Sequence, residues 1–134
     1  MDLSSINYLA VFVAALSSFA IGGVWYSPIL FSKAWMKENG FTDEEMKNAN
    51  MGKIFGGSFL LALVISFNLA AFLGPEADFA FGIFAGLAAG LGWVAASLGI
   101  IYLFERRSMK LFLINAGYQV VTYVIIGSIL GVWK

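Results

Sequence analysis

Neither cysteine nor histidine occurs in this chain of 134 residues. Without Cys there is no disulfide framework, no thiol nucleophile and no thiolate ligation of an iron–sulfur cluster. Without His the commonest general base and metal ligand at neutral pH are missing. Charge is scarce too. Asp, Glu, Lys and Arg make up 12% of the residues, against roughly 25% in a soluble domain. The formal net charge is zero, so no global field recruits nucleic acid or acidic substrates. The basic residues are too few and too scattered for a nucleic-acid footprint. No phosphate loop, dinucleotide fingerprint, metal-ligand cluster or Ca²⁺ loop is present, and no cofactor is expected.

What the chain has is apolar sequence, 60% of the total. It is gathered in four runs, approximately residues 6–26, 54–73, 79–104 and 111–133. A helix crosses a ~30 Å hydrocarbon core with about 20 apolar residues. The expected fold class is therefore all-α: a four-helix transmembrane bundle in one integral membrane domain over residues 1–134. Gly74-Pro75 stops the second run, because Pro cannot continue a helix. Glu105-Arg106-Arg107 ends the third, which is the longest and should tilt. The first run is expected to be a retained helix. Its flank, Met1-Asp2-Leu3-Ser4-Ser5, lacks the basic segment of a signal peptide.

Seven of the eight Lys and Arg residues lie in two stretches. Lys33, Lys37, Lys47 and Lys53 separate the first and second runs, and Arg106, Arg107 and Lys110 the third and fourth. Cytoplasmic loops are enriched in such residues. Both termini are therefore expected outside, with residues 27–53 and 105–110 cytoplasmic.

Lipid tails are as apolar as Leu, so helices associate in bilayers through close packing at small residues. Such residues recur every four positions: Ala10, Ala14, Ser18 and Gly22; Ser58, Ala62, Ser66 and Ala70; Gly82, Gly86 and Gly90. Ala88, Gly92 and Ala96 mark an adjacent face of the third run, and Gly127 and Gly131 the fourth. The third run is small around most of its circumference, which predicts a central position. One such stripe could also serve a homo-oligomer.

The segment between the first two runs predicts a short interfacial helix on the cytoplasmic side. Pro28 suits its first turn, and Asn39-Gly40 is a stop signal. Phe31 and Trp35 share one face, expected to lie toward lipid. Lys33 and Lys37 share the other, toward anionic headgroups. Thr42-Asp43-Glu44-Glu45 reads as a capping box, starting a helix that could continue into the second span.

No acid, Lys, Arg or His lies within any run, which argues against a proton-coupled transporter. Small multidrug exporters share the size and helix count but need an acid in the first helix. The polar candidates inside the membrane are Asn68, Ser97, Asn115, Tyr118, Gln119 and Thr122. Asn115, Tyr118, Gln119 and Thr122 follow helical spacing on one face of the fourth span. This face either makes interhelical hydrogen bonds or walls a small cavity. At the inner interface the binding candidates are Trp25, Tyr26, Ser27, Pro28, Lys33, Trp35, Tyr102 and Arg106. They read as an aromatic belt or as a headgroup-level site. Ser27 and Lys33 make no convincing nucleophile pair, since nothing suggests an oxyanion hole.

The run from Gly22 through Trp25-Tyr26-Ser27-Pro28-Ile29-Leu30-Phe31-Ser32-Lys33-Ala34-Trp35 resembles the signature of a bacterial membrane family catalogued as domain of unknown function 1761. Gly92-Trp93 and the run Tyr102 to Tyr118 agree with it. The resemblance implies a small multi-span protein and no particular reaction. It draws attention to Trp25, Tyr26, Pro28, Lys33, Trp35, Asn115 and Tyr118.

Three functions remain open at this point. The first is a non-catalytic membrane protein, oligomeric, binding lipid or a partner at its cytoplasmic interface in a bacterial inner membrane. The second is a passive pore or carrier for a small neutral or amphipathic solute, lined by Asn68, Asn115, Gln119 and Thr122. The third is an interfacial enzyme using Tyr102, Glu105, Arg106 or Lys33.

Overall fold

The computed structural model describes residues 3–134 and is all-helical over them. Met1 and Asp2, part of the flank considered above, lie outside the described residues. The long helices are α1 (Tyr8–Trp25), α4 (Met51–Leu73) and α7 (Met109–Val132), plus a third long helix. That third helix runs unbroken from Phe79 to Glu105. It comprises α5 (Phe79–Ala89), a π-helical segment (Gly90–Ala95) and α6 (Ala96–Glu105). All four are long and apolar enough to cross a membrane. The short helices α2 (Ser32–Asn39) and α3 (Asp43–Lys47) lie between α1 and α4.

Each long helix begins at a side chain that caps it. Asn7, Asn50, Asp78 and Ser108 accept from the backbone N–H three residues on, at 3.1, 3.1, 2.8 and 3.0 Å. These bonds satisfy donors that the first helical turn leaves open. At the other ends, Gly40 and Gly74 take positive φ, at 73° and 75°, and so does Arg106, at 59°. Gly adopts this region without steric cost, whereas Arg106 is held there by the tight turn into α7.

The segment between α1 and α4 departs from expectation. Pro28 does not open a helix. Residues 26–31 form a turn in which the Ser27 carbonyl accepts from both Leu30 and Ser32. The α2 helix starts only at Ser32. Thr42 caps α3 by accepting from the Glu45 N–H at 3.1 Å, and its hydroxyl donates to the Glu45 carboxylate, so the cap forms without the backbone half of the box. The α3 helix stops at Lys47, and Asn50 caps α4 afresh. The aromatic face of α2 turns to protein rather than lipid: Trp35 packs on Tyr26 and Phe41, with Lys33 and Lys37 exposed.

The fourth long helix, not the third, is central. α7 touches α1, α2, α4 and the whole third helix. It buries residues along its length from Leu111 to Gly131, whereas α6 buries none. The glycines of the third helix serve one intimate contact instead of several. A Cβ on Gly82 would collide with the Gly127 carbonyl oxygen, and one on Gly86 with that of Tyr123. The stripes on α1 and α4 also face each other. Ala10, Ala14 and Ser66 are fully buried there, and the Ser66 hydroxyl donates to the Val11 carbonyl at 2.8 Å.

The bundle is asymmetric along its length. Near the Gly74 turn the core is apolar: Ala10, Val11, Ala14, Leu69, Leu73, Ala85, Ile126 and Leu130. The opposite end, which carries every Lys and Arg except Lys134, is held by polar and aromatic groups. The outer surface remains apolar, with Phe104 85% and Leu103 78% exposed. Such a surface suits lipid as solvent.

Candidate functional site

At the cationic end the signature residues converge. Trp25 closes α1, and its Nε1–H donates to the Ile114 carbonyl on α7 at 2.8 Å. Gly117 lies under the indole, where a Cβ would stand 3.0 Å from Trp25 Cζ2. The next residue, Tyr26, donates its hydroxyl to Asn115 Oδ1 at 2.7 Å. Asn115 in turn donates from Nδ2 to the Tyr102 hydroxyl at 2.7 Å. One carboxamide thus joins the end of α1, the end of the third helix and the start of α7. The Tyr26 ring is flanked edge-on by Trp35 and Tyr118, with centroids 5.7 and 5.3 Å away. Tyr118 donates to the Ser18 carbonyl at 2.9 Å.

The chain of contacts continues into α2. The Arg107 guanidinium lies 5.9 Å from the Tyr102 ring centroid, within cation–π range. Its Nη1 donates to Asn39 Oδ1 at 3.0 Å, and its Nε to Glu105 at 2.9 Å. Asn39 donates to the Trp35 carbonyl at 2.8 Å. At the cationic end this network joins α1, the third long helix and α7, and ties α2 to them. Lys33, Lys37, Arg106 and Lys110 remain exposed around it.

The inner-interface candidates divide into three groups. Trp25, Tyr26, Trp35 and Tyr102 come together, with Asn115 and Tyr118 from the membrane set. Ser27 and Pro28 build the turn that delivers α2; the Ser27 hydroxyl donates to the Val24 carbonyl at 2.7 Å. Lys33 and Arg106 stay outside the network. Sequence reasoning chose Arg106, but the left-handed turn at that residue swings its neighbour Arg107 onto Tyr102. Asn39 was missed because its only sequence signal was that of a helix stop.

The intramembrane candidates do not share one cavity. Asn115 is occupied between two tyrosines. Thr122 is buried next to Tyr118 without a well-formed hydrogen bond, and Gln119 is half-buried. Ser97 is exposed on the outer surface of α6. Asn68 faces a separate lateral groove that Asn115, Gln119 and Thr122 do not line. Two further residues of that groove, Trp93 and Tyr123, were not singled out as site residues. Gly92-Trp93 was at least visible as part of the second signature run.

Among the described residues, no cluster of three Asp or Glu could hold a metal ion. The chemistry on display at the cationic end is hydrogen bonding, aromatic contact and exposed positive charge. No curated protein and no solved structure matches this chain. A family match does cover nearly all of it, residues 9–131, and includes every residue of the network: the chain belongs to the family described as Protein of unknown function (DUF1761).

Proposed function

We propose that this is a non-catalytic, multi-pass protein of a bacterial inner membrane that binds anionic lipid headgroups at its cytoplasmic face and works as a homo-oligomer. Both termini lie outside, and residues 27–53 and 105–110 are cytoplasmic. The reading is carried by the Tyr26–Asn115–Tyr102 relay and its extension through Arg107 and Asn39. The polar atoms of that network are spent on one another, which suits a fixed platform better than a reaction centre. The platform holds α2 so that Lys33 and Lys37 point away from the protein, with Arg106 and Lys110 beside them.

Each such cation near an anionic leaflet contributes about 1 kcal/mol. Four together give about 4 kcal/mol, a preference of roughly a thousandfold at low salt that salt screens. Native mass spectrometry from mixed phosphatidylglycerol and phosphatidylcholine nanodiscs tests this. Retained phosphatidylglycerol on a multimer is the expected result, lost in the Lys33→Gln/Lys37→Gln/Arg106→Gln variant. Equal retention of the two lipids, with monomers only, would overturn the proposal.

A further inference from the structure

The central position of α7 leaves α4 and the third long helix in little contact with each other. Between them runs a groove of about 590 Å³, open sideways to the bilayer. That volume falls within the roughly 300–1,000 Å³ typical of small-molecule sites. Ile65, Phe72 and Phe84 are among its apolar walls, and no ionisable acid or base other than the Tyr123 phenol lines it.

Three of the lining residues have side chains that carry a polar group: Asn68 from α4, Trp93 from the π-helical segment and Tyr123 from α7. None has a hydrogen bond among the described residues. Asn68 and Trp93 are exposed, and Tyr123 is half-buried. In hydrocarbon an unpaired polar group is costly. The three depths are staggered. Asn68 lies about 8 Å below the end of α4, and Trp93 near the middle of its helix, by rise per residue. Phospholipid tails offer only methylenes at these depths. The π-helical segment is a second, independent mark, since such bulges occur frequently at functional sites.

The geometry points to a binding groove between α4 and the third long helix for a neutral, carbonyl-bearing lipophile, with Asn68, Tyr123 and Trp93 as its donors. Indole N–H only donates, and the phenol and carboxamide can both donate. The ligand must therefore supply acceptors. The uncharged wall selects against anionic and cationic ligands. This site is separate from the cationic end and does not depend on the lipid preference proposed there.

The probe is a benzoquinone carrying a decyl tail, titrated into the full chain in phosphatidylcholine nanodiscs with tryptophan fluorescence as readout. Saturable quenching is expected, weakened at least tenfold by Asn68→Leu. Ala88→Leu, which fills the groove without touching a donor, should weaken it similarly. Circular dichroism must show both variants folded, and Lys33→Gln/Lys37→Gln should leave quenching unchanged. Non-saturable quenching, or wild-type affinity in both folded groove variants, would overturn the assignment. So would competition by a tail-brominated phosphatidylcholine equal to that of the quinone, which would mean acyl-chain filling only. Near-complete disulfide dimerisation of Asn68→Cys would assign the groove to a second copy instead.

Discussion

The contact between the third long helix and α7 is so close that one methyl group should measure it. In Gly86→Ala the new Cβ would stand 2.8 Å from the Tyr123 carbonyl carbon and 3.0 Å from Val124 Cα. Comfortable carbon contacts begin near ~3.5 Å, so the helices must part by about 0.5–1 Å. A gap of that size forfeits a quarter to a half of each dispersion contact along the seam. Overpacking of this kind costs about 1–3 kcal/mol. The better helix propensity of Ala returns at most about 1 kcal/mol. The net loss reaches about 2 kcal/mol, a factor of up to roughly 30 in the folded-to-unfolded ratio. Steric-trapping or detergent-denaturation equilibria on the purified protein would read it. Gly57→Ala is the internal control, because nothing lies within 4 Å of a Cβ there. It should leave stability unchanged or slightly higher. If Gly86→Ala and Gly57→Ala behaved alike, the seam would not be where the structure puts it.

Other outcomes follow from single contacts. Ser66→Ala removes the buried bond to Val11 and should cost about 0.6 kcal/mol, the average for hydrogen bonds between membrane helices, and no more than about 1.7 kcal/mol, by the same denaturation equilibrium. Asn115→Leu strips partners from both Tyr26 and Tyr102. It should destabilise by about 1–3 kcal/mol, more than Tyr26→Phe does. A double-mutant cycle between the two should show coupling of at least about 0.5 kcal/mol, and strict additivity would deny the relay. In oriented vesicles, a membrane-impermeant thiol reagent added outside should label Glu76→Cys and spare Glu44→Cys. The reverse pattern would invert the proposed topology.

The fold was legible because a bilayer imposes few rules and the chain obeys them openly. The first two long helices begin two or three residues from the expected bounds, the other two within two. The residues that move those bounds are the caps: Asn7 lies inside the expected first run but bounds its helix as the N-cap, while Asn50 and Ser108 start their helices ahead of the apolar runs. Small-residue spacing also identified Gly82, Gly86, Gly127 and Gly131 as contact residues. It did not identify which helix they would make central. Glycine permits a close approach on one side, but centrality depends on having neighbours on several. That depends on the side chains of α7, which bond or pack on both flanks: Tyr118 and Asn115 toward α1, Tyr123 toward the third helix.

The same distinction explains what was hidden in the two sites. At the cationic end most network residues announce themselves by type, because aromatic and amide groups at a span end invite pairing; Asn39 does not, since it reads as a helix stop. The choice between Arg106 and Arg107 also needed backbone geometry, since a single left-handed residue decides which side chain turns inward. The lateral groove is a different case. It arises because α4 is fastened to α1 through Ser66 and Val11, and the third helix to α7 through its glycines. With α1 and α7 packed against each other as well, α4 and the third helix are left with little contact between them. Sequence periodicity reports contacts that a helix makes. It has no signature for a contact that two helices make only sparsely, and a polar residue such as Asn68 acquires its meaning only from the gap that this leaves.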